Sequence, residues 1–347
     1  MELRTFSRIN LGDPFFDSLK AAYTEFTDWY NRKASEGAQA YVQYDNSNNV
    51  IGFLYLKVET GALSDINPSR EAKRRLKVGT FKVNPHGTKF GERFIKKIMD
   101  KAIVEDVDEV YVTVFDEHDG LITLLQRYGF INAATKTTPN GTEQVLIKDM
   151  RTISEDIYID YPLLKTDGKR KFVLSIYPEF HTRLFPDSIL NTESYSLIGD
   201  VSETNSIHKV YICFMDLGGL EKGDILAIYR TSDVPGKAYY RSVITSICIV
   251  EDVKTKADFK NVNEFIAYTK PHSVFSEKEL TEWYNSRKKI FVIKMTYNIA
   301  LNKRVINKQL QEDLGLKPDY WGFFRLNDSQ FKGLLELGKV YENIIIN

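Results

Sequence analysis

The chain has little cysteine and no long apolar run, and each shortage excludes a class of protein. Only Cys213 and Cys248 are present among 347 residues, so a disulfide scaffold is excluded. Both lie in apolar runs of β character, which predicts buried free thiols in a reducing compartment. No stretch approaches membrane-spanning length, and the first residues carry no apolar signal segment. We therefore expect a soluble, cytoplasmic protein without a membrane contact.

Excess charge of one sign is also lacking. Lys plus Arg and Asp plus Glu number 47 each, so the formal net charge is zero. A contact with nucleic acid would therefore have to come from local patches rather than from overall attraction. Five scattered histidines and two cysteines give no zinc-ligand spacing, and we expect no metal site.

The chain is long and apolar enough for two filled cores, with 43% hydrophobic and 13% aromatic residues. Helical and strand periodicity fades after about residue 150, and 166–171 is typical of a turn. We predict a first domain over 1–152, a linker over 153–171 and a second domain over 172–347.

The first domain contains a strand, a glycine-marked turn and a helix, over residues 76–99. Free amide groups in the first turn of such a helix, with its dipole, favour a bound diphosphate. Gly87 and Gly91 would allow close approach of the backbone, and Lys89 and Arg93 would add positive charge. The alternative is an ordinary connection with two incidental glycines.

A second strand follows over 109–115, and then a short helix that ends at Gly129-Phe130. A helix begun at Asp13-Pro14 and a hairpin around the polar turn 45–49 precede the glycine-marked unit. This order of elements resembles the GNAT acetyltransferase family over roughly the first 150 residues. The resemblance implies an α+β GNAT fold with a mixed central sheet, and acetyl-CoA as co-substrate.

The family's diphosphate loop, Arg/Gln-x-x-Gly-x-Gly/Ala, is matched at Gly91 but replaced at His86 and Lys89. The resemblance implies that the main chain of one strand binds the pantetheine arm and that the turn binds the diphosphate. The implied cofactor-binding residues are Phe81, Lys82 and Val83 for the arm, and Gly87, Thr88, Lys89, Phe90, Gly91 and Glu92 for the diphosphate.

A tyrosine often protonates the departing thiolate in that family, but Leu125 stands at its place and His118 at that of a usual asparagine. We consider Tyr128, His118 or an ordered water as the acid. Alternatively, the domain catalyses mainly by positioning the amine. Taken singly, Tyr128 is more typical of a core aromatic and His118 of an exposed helix-start residue.

The second half has short strands separated by turns, with helical inserts, which indicates a barrel or curled sheet. Residues 175–179, the Gly223-Asp224 turn and 322–326 are similar to the PUA-like group, especially its ASCH and EVE branches. That similarity implies a PUA-like β-barrel domain with a small cleft for RNA or modified bases. Our candidate nucleic-acid contacts are Tyr229, Arg230, Tyr240 and Arg241, with Tyr239 beside them. The alternative is that these aromatics form cross-strand pairs.

Two functions remain open. The first is an N-acetyltransferase that moves an acetyl group from acetyl-CoA to an amine, with the second domain recruiting an RNA or RNA-linked substrate. The second is a non-catalytic nucleic-acid-binding or regulatory protein on a GNAT scaffold, suggested by the substitutions at His86, Lys89 and Leu125.

Overall fold

A computed structural model describes residues 1–84, 90–188 and 206–347, and the chain forms two compact units. The first unit is Met1–Thr152 and the second is Ile153–Asn347. Each combines a mixed sheet with helices, so the predicted α+β class is confirmed. No helix in the described ranges is both long and apolar enough to cross a membrane.

The described strands of the first unit form a seven-stranded sheet in the order β1-β2-β3-β4-β5-β7-β6. Its strands are β1 Glu2–Thr5, β2 Gln39–Tyr44, β3 Val50–Leu63, β4 Arg70–Val83, β5 Glu109–Val114, β6 Ile131–Thr138 and β7 Gly141–Asp149. β4 and β5 run parallel, whereas the other neighbours are antiparallel. The parallel pair is joined by a crossover through the helix α3, Phe90–Val104.

Helices cover both faces of this sheet because β3 is apolar on both sides. Phe53 and Tyr55 pack against α1, Asp17–Ala22, and α2, Phe26–Ser35. Gly52, one position away, faces α3, where Phe94 comes close to it. We call these two sides the α1–α2 face and the α3 face. The helix α4, Asp119–Arg127, packs beside α3.

The predicted helix start at Asp13 is confirmed, since its carboxylate accepts a hydrogen bond from the Phe15 amide at 2.8 Å. The helix itself is not continuous. A short 3-10 turn over Pro14–Phe16 leads into α1, and Tyr23 then adopts an extended backbone with φ of −128°. That break places Tyr23 outside either helix, where its side chain reaches a distant strand.

The described strands of the second unit form an open six-stranded sheet in the order β13-β8-β10-β11-β12-β9. The strands are β8 Lys171–Ile176, β9 His208–Cys213, β10 Ile225–Arg230, β11 Val243–Thr255, β12 Phe291–Ile306 and β13 Phe323–Leu326. The helices are α5 Pro178–Leu184, α6 Ala238–Arg241, α7 Val262–Thr269, α8 Glu277–Asn285, α9 Asn307–Glu312 and α10 Asp328–Leu337. Within these residues the sheet is curled and bulged, but its edge strands β13 and β9 do not pair to close a barrel.

Side chains cap two of these helices: Ser276 forms a capping box with Glu279 at α8, and Asn261 accepts a hydrogen bond from the Glu264 amide at α7. The helical turn α6 precedes β11, so residues 238–241 lie outside the strand. The Tyr239 hydroxyl donates to Glu312, and Arg241 pairs with Asp233 at 2.7 Å. The two adjacent tyrosines of this segment favour a strand, but these contacts stabilise it as a helical turn.

Candidate functional site

The strands β4 and β5 part inside the first sheet. Their parallel pairing extends from Arg75–Glu109 to Val78–Val112 and ends there, although β4 continues to Val83. Beyond Val112, β5 stays paired with β7 on its other side. The last five residues of β4 therefore have β3 on one side and no described strand on the other. We call this opening the β4–β5 cleft.

A bulge marks the point where the strands part. Tyr55 pairs with Thr80 but its neighbour Leu56 pairs with Val78, so Gly79 is an extra residue on β4. A Cβ at Gly79 would lie 2.7 Å from Tyr55 Cδ1, so only glycine fits this bulge without displacing the ring. Because a bulge increases local twist, Gly79 turns the end of β4 away from β5.

The main chain of two residues faces the cleft. The Asn84 amide donates to the Ile51 carbonyl at 3.0 Å, which makes Ile51–Asn84 a hydrogen-bonded pair. Hydrogen-bonded and non-bonded pairs alternate along an antiparallel ladder, so Lys82 also bonds to β3. Phe81 and Val83 consequently direct their N–H and C=O groups into the β4–β5 cleft.

The predicted pantetheine segment 81–83 thus divides into two kinds of residue. Phe81 stacks on Phe94 of α3 at 5.5 Å between ring centroids and offers its main chain to the cleft. The Lys82 ammonium instead donates to the Phe15 carbonyl and lies 4.7 Å from the Phe15 ring. Burial lowers the pKa of Lys82, consistent with its place beneath α1.

The helix α3 begins beside the cleft. Gly87, Thr88 and Lys89 lie outside the described residues, so the structure describes the predicted diphosphate segment only from Phe90 onward. Gly91 has a packing role of its own, since a Cβ there would lie 2.6 Å from Leu124 Cδ2 of α4. The Glu92 carboxylate is buried and pairs with Arg127 of α4 at 3.4 Å. Both residues therefore pack α3 against α4. Only their main-chain N–H groups are available to a bound anion.

The two predicted acids differ in exposure. Tyr128 follows α4 and is fully buried, with the Arg127 guanidinium 5.7 Å from its ring. His118 precedes α4 and is exposed, with its amide donating to the Phe115 carbonyl at 3.1 Å. Of the two, only His118 is accessible to solvent.

The second unit holds a pocket of about 500 Å³ whose wall is largely aromatic. Its aromatic residues are Tyr177, Phe180, Tyr211, Phe214, Trp283, Tyr320 and Trp321. We call this the aromatic pocket. Tyr177 and Tyr320 are more than half exposed at its rim, whereas Tyr211 is buried. The Thr231 hydroxyl, which also lines it, is buried without a hydrogen-bond partner among the described residues.

The aromatic pocket is an apolar cavity, and a lysine lies beside one of its lining residues. Burial raises the pKa of Cys213, which lines it, to about 12, so the thiol stays protonated and unreactive. Burial likewise raises the pKa of Tyr211. The Lys288 ammonium lies 4.8 Å from the ring of Phe214, which lines the pocket. A planar ligand could therefore stack inside while an anionic group contacted Lys288.

The four predicted nucleic-acid residues do not form one surface. Tyr229 and Arg230 are each only 2% exposed, and Tyr229 stacks on Trp321 at 5.5 Å and bonds to Asn307. Tyr240 is 62% exposed, while Arg241 is held by Asp233. Tyr229 thus supports the aromatic pocket from behind. The pocket itself was missed because its residues come from separate segments that no local pattern connects.

Comparison with known proteins gives matches in structure alone. No family model and no curated protein matches the sequence. The ASCH structure from Zymomonas mobilis is 13% identical and covers 48% of this chain and 94% of its own, with a TM-score of 0.34.

Two further similar structures are of another kind. A chain of the NatC complex, solved with a Gag peptide and CoA, is 20% identical and covers 42% of this chain and 98% of its own, with a TM-score of 0.29. Spermidine N-acetyltransferase from Vibrio cholerae, solved with CoA and spermine, is 17% identical. It covers 42% of this chain and 93% of its own, with a TM-score of 0.28. The similar structures thus include an ASCH protein and N-acetyltransferases, the two groups that the sequence resembles.

Proposed function

We propose that the unit Met1–Thr152 binds acetyl-CoA and transfers its acetyl group to an amine. The observation that carries this proposal is the β4–β5 cleft, where Phe81 and Val83 face outward with main-chain donors and acceptors. An amide-rich arm such as pantetheine would complete β4 as an added strand does. The beginning of α3, next along the chain, supplies main-chain amides for the diphosphate.

The reaction requires only positioning and a polarised carbonyl. A neutral amine attacks the thioester carbon, the C–N bond forms, and the C–S bond breaks to release CoA thiolate. A main-chain N–H in the cleft would stabilise the charge that develops on the carbonyl oxygen. For the proton that the thiolate takes, Tyr128, His118 and water remain our candidates, and His118→Ala and Tyr128→Phe test the two residues separately.

Calorimetric titration of the full chain with CoA tests the binding step, and thiol release from acetyl-CoA tests the transfer. We expect saturable binding and amine-dependent release. No binding at millimolar CoA would contradict the proposal. Binding without release from any amine, together with retention of RNA, would favour the scaffold alternative.

We further propose that the unit Ile153–Asn347 recruits RNA by stacking an unpaired base in the aromatic pocket. Stacking on aromatic side chains is worth about 1–3 kcal/mol per base, and Lys288 beside Phe214 would contact a phosphate. Trp321→Ala should therefore weaken binding of a single-stranded RNA by about 5- to 150-fold. Tyr240→Ala, outside the pocket, is the matched control. Equal losses in both variants would place the RNA elsewhere.

A further inference from the structure

The α1–α2 linker and the β6–β7 hairpin meet on the α1–α2 face, at the end of β5. The Tyr23 hydroxyl donates to Glu143 Oε1 at 3.2 Å, although the two residues are 120 positions apart. Asn140 of the hairpin donates to both carboxylate oxygens of Glu25, at 2.9 and 3.0 Å. The ring of Tyr23 also packs on Phe115, 5.5 Å between centroids. Hydrogen bonds thus connect the α1–α2 linker with the β6–β7 hairpin, although the two segments are far apart in sequence.

The carboxylate of Glu143 is unusual among these groups because it is buried, with 5% of the residue exposed. It lies on β7 on the same face as Val145, which packs with Tyr111 of β5. Gln144 pairs with Val114, so Glu143 stands level with the residue after β5 ends. That is three residues past Val112, about 10 Å along the strand from the point where β4 and β5 part.

The side of approach follows from the two faces of the sheet. The helix α3 packs against the α3 face through Phe90 and Phe94, so a diphosphate at the beginning of α3 lies on that face. An arm that passes through the β4–β5 cleft carries its thioester toward the opposite face. The acetyl acceptor would therefore meet the thioester from the α1–α2 face, where the Tyr23 ring packs on Phe115 and the Tyr23 hydroxyl donates to Glu143.

We propose that Glu143 takes the proton from the acetyl acceptor, that Tyr23 positions this carboxylate, and that the acceptor is a small alkylammonium ion. This inference rests on the proposed acetyl transfer. The buried carboxylate suits an ammonium head, and the rings of Tyr23 and Phe115 suit an alkyl chain.

The step balances without another reactant. The ammonium nitrogen gives one proton to a Glu143 oxygen and becomes a neutral amine. Its lone pair forms the C–N bond with the acetyl carbon, and the C–S bond breaks. The second nitrogen proton goes to the thiolate, and Glu143 then releases its proton to water, so the products are an N-acetylamine, CoA thiol and one solvated proton.

The charged groups around Glu143 come from every neighbouring element. Tyr23 and Glu25 lie on the α1–α2 linker, and Asp116 and Glu117 follow β5, where Asp116 accepts from Gln144 at 2.6 Å. Lys136 pairs directly across from Glu143 on β6, but its ammonium bonds to Asp65 at 2.6 Å. Burial first, and then Glu143, raise the pKa of Tyr23, so Tyr23 stays protonated as a donor.

The experiment compares wild type with Glu143→Gln, an isostere, and with Glu117→Gln, a matched exposed carboxylate. Thiol release from acetyl-CoA is followed with butylamine and 1,4-diaminobutane as acceptors between pH 6.5 and 8.5. Wild type and Glu117→Gln should show a nearly flat kcat/KM, because the bound ammonium is deprotonated on the enzyme. Glu143→Gln should lose about 100-fold or more at pH 7 and recover about tenfold per pH unit, as free amine accumulates.

The outcomes separate the two proposals. If the wild-type protein does not bind CoA, the proposed function itself is contradicted. If CoA binds but neither amine accelerates thiol release, or if Glu143→Gln keeps the wild-type pH profile, the assignment of Glu143 is overturned. CoA titration of Glu143→Gln shows that the variant is folded. Tyr23→Phe, which keeps the carboxylate, should lower kcat with the flat profile retained.

Discussion

The alternation of main-chain groups along β4 can be tested by placing proline at adjacent positions. Val83 directs its N–H into the β4–β5 cleft, whereas the Lys82 N–H is directed to β3. Val83→Pro therefore removes a donor to the coenzyme, and Lys82→Pro removes a bond of the sheet. Val83→Ala is the matched control for the lost side chain.

The size of each effect follows from the hydrogen bond that is lost. One bond to a ligand contributes about 0.5–1.5 kcal/mol, so Val83→Pro should raise the Kd for CoA about 2- to 12-fold over Val83→Ala. Lys82→Pro leaves the Phe53 carbonyl without its donor, which costs about 1–3 kcal/mol of stability. For a unit of this length each kcal/mol lowers Tm by about 2–4 °C.

Calorimetry with CoA and thermal unfolding of the full chain measure the two effects. We expect Val83→Pro to lose affinity while keeping most of its Tm, and Lys82→Pro to lose Tm. Equal affinities of Val83→Pro and Val83→Ala would refute the orientation assigned to Val83. Equal Tm losses in the two proline variants would refute the alternation itself.

Two further predictions concern packing and pH. A Cβ at Gly52 would lie 2.5 Å from Phe94 Cζ and 2.8 Å from Phe90 Cε1, so Gly52→Ala should displace the beginning of α3, cost about 1–3 kcal/mol and weaken CoA binding. Gly120→Ala, with no heavy atom within 4 Å, should do neither, and an unchanged Gly52→Ala would contradict the tight fit. Burial, and then Arg230 and Arg304, lower the pKa of His181 to about 3, so the unfolded chain binds a proton near pH 6.5 that the folded one does not. Stability of the second unit should thus fall by about 2 kcal/mol between pH 6.5 and 5, measured by denaturant unfolding, and His181→Gln should lack that loss.

The sequence predicts those features that local residues determine. Asp13 caps a helical turn where its pattern indicates, because a cap involves only neighbouring residues. The α+β class was implied by the family resemblance, which depends on the order of alternating runs and glycine stops along the sequence. The charged run 70–75 is part of β4, where Arg75 is buried against Glu109 at 2.6 Å, a pairing that the run itself does not indicate.

Features that depend on distant residues could not be predicted. Arginine is a residue type typical of a surface contact, but Arg230 is buried in the second unit. The hydrogen bond between Tyr23 and Glu143 joins residues 120 positions apart. The need for glycine at position 79 is evident only from the ring of Tyr55, which lies beside it on β3. Sequence spacing along one segment carries no information on such pairs.

The central claim is that Phe81 and Val83 bind the coenzyme through their main chain. The most direct measurement is amide NMR of the full chain labelled with 15N at phenylalanine, valine and lysine, during titration with CoA. The amide resonances of Phe81 and Val83 should shift with CoA concentration, while that of Lys82, held by β3, should shift little. Saturating CoA that leaves Phe81 and Val83 unmoved, or that shifts Lys82 equally, would contradict the account.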